Sequence, residues 1–271
     1  MIFPEGKSAL VRLSDCIKLG VGNALDTTVE LTELHKKFAP QLSTIRQLAR
    51  EALQSKFPDV AVEEELKRRN GQIPIDEAQK AISLQGRLHS EVLTVILHAC
   101  FALESYINSL GYHLIKEKDI LGLVAHSTTS TADTFFEAID RMSTLSKWET
   151  LGRLKSNQGF DSARPPFQDL KILFRFRDDH VHDKVVEYGD DRAGKRYGGK
   201  FPDPVAGILH LSHAVYACDC YWNMVTEIHN LIGFSREDFH RHYNLSPWFS
   251  KEFEREVRKT AEEYQKTSQG N

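Results

Sequence analysis

Arg177, Asp178 and His182 lie close together in the stretch from Ile172 to Tyr188, ILFRFRDDHVHDKVVEY. A guanidinium keeps its charge under all ordinary conditions, so an arginine set among apolar positions demands an anion, a ligand or a carboxylate. An imidazole exchanges its proton near neutral pH. Asp178 precedes His182 by one helical turn, where its carboxylate can hold the ring in one tautomer and raise its basicity. Together these groups suit chemistry on a phosphate: Arg177 to bind two oxygens, His182 to move a proton, Asp178 to orient it. There is a geometric condition. Positions i and i+5 are about 140° apart on a regular helix. Arg177 and His182 therefore meet only if the helix is distorted or a second copy completes the site across a two-fold axis.

The elements that must position these groups read as helices. Leu170, Leu173, Phe174, Val181 and Val185 recur at three-and-four spacing, with Arg177 inside that stripe. Asp76 with Gln79 reads as a capping box opening a long helix. That helix has one face of Val92, Val95, Ile96, Ala99, Leu103, Tyr106 and Leu110. Leu93, Leu97, Cys100 and Phe101 make its other side apolar too, which predicts burial from two directions or a subunit interface. Glu104 and Asn108 lie one turn apart on its flank, as supporting groups for Arg177. Lys184 follows the motif. A glycine-rich loop from Gly189 to Lys200 carries Arg192, Lys195, Arg196 and Lys200 beside Tyr188, Tyr197 and Phe201, a candidate grip on an RNA backbone.

Several of these segments resemble the HEPN superfamily. Arg177-Asp178-Asp179-His180-Val181-His182 is similar to its R-x4-6-H motif, and Glu104 through Asn108 to the E-x-x-x-N of its first core helix. Leu145-Ser146-Lys147-Trp148 and Pro166-Phe167-Gln168-Asp169-Leu170 resemble its connecting segments, and the likeness spans roughly residues 90–232. The resemblance implies a helical bundle that pairs as a homodimer around a composite cleft. It also implies metal-independent RNA cleavage to a cyclic phosphate, in a defence or toxin–antitoxin setting with an antitoxin or other regulatory partner. The alternative is a non-catalytic module that binds a nucleotide or RNA, or serves dimerisation.

The remaining chain sets the bounds. Its 271 residues are 41% hydrophobic and 27% charged with a net charge of −3, so RNA binding would need a local basic patch. The four cysteines, Cys16, Cys100, Cys218 and Cys220, have no metal-ligand spacing, nor do His210 with His213 or His240 with Tyr243. No metal and no cofactor is expected. The N-terminus lacks a leader pattern, and the apolar run around Val92–Leu103 is shorter than a bilayer span. A cytoplasmic protein with reduced thiols and no membrane contact is the expectation.

The fold class expected is all-α, an antiparallel bundle of about four core helices. The division expected is an N-terminal extension over 1–72, the bundle over 73–236, and a C-terminal helix and tail over 237–271. Within it, residues 1–28 read as a short hairpin or frayed helix turning at Gly20, Gly22 and Asn23. A helix interrupted at Pro40 follows from Val29 to about Phe57. Thr131–Met142 reads as a helix and Trp148–Pro166 as a loop. Pro204 is expected to open a helix closed by Gly233, and a charged outer helix runs from about Pro247 to Gln265.

Overall fold

The computed structural model describes residues 4–42, 44, 68, 71–114, 139–156, 159–181, 196–202, 208–233, 246–248 and 250–269. Among them the chain is all-α, with six principal helices and no strand. They are α1 (Pro4–Lys37), α2 (Ile75–Leu114), α3 (Thr144–Ser156), α4 (Phe167–Val181), α5 (Leu211–Ile232) and α6 (Lys251–Gln269).

The first helix overrides its turn residues. Gly20 and Gly22 lie inside α1, where each costs about 1 kcal/mol against alanine. The apolar period outweighs them: Ile17, Val21, Ala24 and Leu31 are fully buried. Two buried hydroxyls on this face are satisfied within the helix, Thr28 Oγ1 donating to the Ala24 carbonyl at 2.6 Å and Thr32 Oγ1 to that of Thr28 at 2.8 Å. The hairpin expected over residues 1–28 is thus a helix. It ends at Lys37, and residues 39–42 are again helical around Pro40.

Other boundaries shift for local reasons. In α2 the Pro74 carbonyl accepts from the amides of Glu77 and Ala78, so Asp76 stands in the first turn rather than at the cap. Its carboxylate there complements the helix dipole. The loop expected over Trp148–Pro166 is helix α3 as far as Ser156 and non-helical over 159–166; the helix starts early because Ser143 caps it, Ser143 Oγ accepting from the Ser146 amide at 3.2 Å. Ser250 does the same for α6, accepting from the Phe253 amide at 3.1 Å, which sets the start at Lys251. That helix is charged outside but buries Val257, Ala261 and Tyr264. Gly233, at φ 70°, follows α5 as expected. The helix expected over 131–142 and the start expected at Pro204 fall largely outside the described residues.

The chain forms two compact units. One comprises Met1–Leu19, Thr94–Gly207 and Tyr216–Phe249; the other comprises Gly20–Leu93, Ile208–Val215 and Ser250–Asn271. The sequential division at residues 72 and 236 is not this one, and Asn70–Pro74 lies within the second unit. Length explains the difference. A helix of 40 residues is about 60 Å long, more than one small core can cover, so α2 contributes to both units. Ile75–Gly111 is also long and apolar enough, by length and composition, to cross a membrane. Half of its most apolar window is buried by the protein itself, as in a core helix. The apolar run is therefore longer, as helix, than its sequence indicated.

The first unit has an aromatic core. Tyr106 stacks on Trp148 at 5.8 Å, Phe160 on Phe167 at 5.2 Å and Phe176 on Phe201 at 4.2 Å. Tyr106 Oη is hydrogen-bonded to His229 Nε2, so the buried hydroxyl has a partner. Gly152 lets Phe160 lie against α3: a Cβ there would meet the ring at 2.9 Å.

Candidate functional site

Helix α4 carries the motif, but its buried line differs from the expected stripe. Phe167, Leu170, Leu173, Phe174, Phe176 and Asp179 are its buried residues. Val181 is 57% exposed, and Val185 lies outside the described residues. The deep line is turned toward Phe176. Arg177 consequently sits at the flank of the helix, its side chain 21% exposed, rather than in the middle of a buried face.

At that flank Arg177 is surrounded by acid. Its Nε and Nη2 donate to Asp178 Oδ1 at 2.9 and 2.7 Å. Nη1 is 3.6 Å from Glu104 Oε2 on α2, and the guanidinium lies 4.7 Å from the Phe174 ring centre. Cys100 is near enough to feel this charge, but burial dominates and pushes its thiol up to about 12. Both carboxylates are 42% exposed. The loose contact to Glu104 makes it the partner an incoming anion would displace first.

The other site residues divide. Glu104 lies beside Arg177, at 3.6 Å from Nη1. Asn108 does not: its Oδ1 accepts from Lys147 Nζ at 2.8 Å, tying α2 to α3. Asp178 gives Oδ1 to Arg177, and its expected partner His182 lies outside the described residues, as do Lys184, Arg192 and Lys195. His180 is half-buried, its Nδ1 3.1 Å from the Phe176 carbonyl and its ring 4.1 Å from the Phe176 ring. It packs on its own helix.

The basic loop is used differently from the expectation. Arg196 donates through Nε and Nη2 to the two oxygens of Asp179, each at 2.7 Å, and Tyr197 Oη donates to Asp179 Oδ2 at 2.7 Å. Arg196 is therefore an ion-pair partner, its charge strengthened by the hydrogen bond to Asp179. Tyr197 and Phe201 are buried and offer no face for bases to stack on. Burial, and then donation to Asp179, raises the Tyr197 hydroxyl above its ordinary range. Lys200 Nζ lies 5.6 Å from the Tyr216 ring centre. Tyr216 Oη in turn donates to Asp169 at 2.8 Å.

Asp179 and Lys147 are the residues that motif reading passed over. Asp179 shares a face with Phe176 and Ile172, and a carboxylate among those neighbours had to have a cation. Among the described residues no three His, Cys, Asp or Glu side chains are grouped to hold a metal ion.

Compared with known families, curated proteins and solved structures, the chain matches no family model, no curated protein and no solved structure.

Proposed function

We propose that this chain is a metal-independent endoribonuclease of HEPN type, acting as a homodimer on RNA. Supporting the reading is one observation: Arg177 is anchored from its own helix by Asp178, while its outer edge meets Glu104 only at 3.6 Å. A phosphate oxygen that displaces Glu104 gains a planar, pre-oriented donor pair. The 2′-hydroxyl attacks the adjacent phosphorus, His182 takes its proton, and Arg177 stabilises the charge on the phosphorane. The P–O5′ bond then breaks, the 5′-oxygen leaves as a hydroxyl with the proton returned by the imidazolium of His182, and a 2′,3′-cyclic phosphate remains. Phe101, 47% exposed one turn before Glu104, supplies an apolar flank for a second copy. The defence or toxin–antitoxin role and the regulatory partner belong to this reading through the family resemblance, and a cytoplasmic setting is part of the same proposal.

A second reading has its own observation. Two carboxylates around one guanidinium leave the cluster net negative, which opposes RNA. A non-catalytic dimerisation or binding module fits that balance.

The deciding experiment incubates purified protein with mixed RNA in a chelator. Cleavage is expected to persist with the chelator and to stop on 2′-deoxy substrate. It should be lost, by roughly a hundredfold or more, in Arg177→Ala, Arg177→Lys and His182→Ala. Melting midpoints near wild type separate lost chemistry from lost fold. A folded, dimeric wild type that cleaves no RNA removes the enzyme and leaves the module. A monomer by light scattering that still cleaves removes the composite site.

A further inference from the structure

The second unit contains four imidazoles that the proposed reaction does not use. His35 of α1 stacks on Tyr264 of α6 at 5.6 Å. His210 lies 5.3 Å from the same ring and stacks on His213 at 5.7 Å. His89 of α2 is near enough for its charge to act on both His210 and His213.

Two of these rings hold the backbone at the start of α5. The Leu209 amide donates to His89 Nδ1 at 3.3 Å, and the His210 amide to His213 Nδ1 at 2.8 Å. His213 occupies the third position of α5 and reaches back to the residue that caps it, the place usually taken by Glu or Gln in a capping box. An imidazole differs from those in one respect. Its accepting nitrogen must be unprotonated, and adding a proton sets a donor against the amide donor. It also adds a cation beside the other rings.

We propose that His89 and His213 form an acid-sensitive latch, whose protonation frees the segment Ile208–Val215 from its hydrogen bonds in the second unit. The neighbouring rings add to the effect: the charges of His35 and His89 act on His210, and those of His210 and His89 on His213. Burial, the largest cause, lowers His89 and His210 and, outweighing a backbone hydrogen bond with His210 that acts upward, takes His213 from 6.5 to about 4. A lowered folded value means that stability is fully present above the ordinary 6.5 and is lost as pH falls toward 4.

Hydrogen exchange on the full chain tests the latch. Between about pH 7.5 and about pH 5, corrected for intrinsic rates, amides of 208–215 should lose protection by about tenfold or more. Peptides from 167–176 should hold theirs. In the variant His89→Asn with His213→Asn, amide oxygens accept without titrating, so the loss of protection between the two pH values should shrink severalfold, leaving the smaller part due to His210. Wild-type protection that does not fall relative to 167–176 overturns the proposal, as does an unchanged pH response in the folded asparagine variant. If that variant does not fold, the wild-type comparison alone decides.

Discussion

Two arginine–aspartate pairs are built on adjacent aspartates of α4, and their surroundings make them different devices. Asp179 is 1% exposed and receives three donors, two from Arg196 and one from Tyr197, all at 2.7 Å. Asp178 is 42% exposed and shares one oxygen with its neighbour Arg177, whose other contact is the looser one to Glu104. A charged hydrogen bond in a dry setting resists exchange, whereas an exposed pair competes with water and contributes little. The same residue types thus give a fastening at 179 and an exchangeable cluster at 177–178. Burial, not residue identity, separates structure from candidate chemistry here.

Removing the fastening should have the largest effect. Asp179→Ala strands the buried Tyr197 hydroxyl and both Arg196 bonds, and should cost about 3 kcal/mol in urea unfolding. A loss below about 1 kcal/mol would erase the contrast between the two pairs. Tyr197→Phe removes only one neutral donor and leaves the ion pair; about 1 kcal/mol is expected, read from the same denaturation midpoints. The smallest stability effect belongs to Glu104→Gln, within about 0.5 kcal/mol of wild type. Its informative readout is RNA binding at low salt, which should tighten because one repulsive carboxylate is gone while Arg177 stays in place. Weaker binding would make Glu104 part of the RNA contact, not its competitor.

The fold class was legible because it rests on period. Leu170, Leu173 and Phe174 repeat at helical spacing, and the structure buries all three. What failed was local punctuation. Gly20 and Gly22 look like a turn, yet a fully buried stripe on both sides carries the helix through them. Trp148 looked like the start of a loop, because Gly152 and Gly159 mark the sequence more visibly than the Ser143 cap. The cluster around Arg177 was half legible. Glu104 was found as its partner, but the rotation of α4 that exposes Val181 was not, because it depends on Phe176 packing against Tyr197 and Phe201. The role of Asp179 was hidden for a similar reason: Arg196 is 17 residues away, and no local pattern announces a pairing over that distance.

The placement of the cysteines has a practical consequence. Cys100, Cys218 and Cys220 are buried, and burial raises the thiols of Cys100 and Cys220 well above their ordinary range. Cys16, on α1, is exposed. A thiolate is the species that reacts with maleimides and similar reagents, so the native fold leaves one accessible attachment point among four thiols. The unmodified chain therefore comes with its own single-site handle: a fluorophore or spin label on Cys16 reports from the first unit without a cysteine having to be removed.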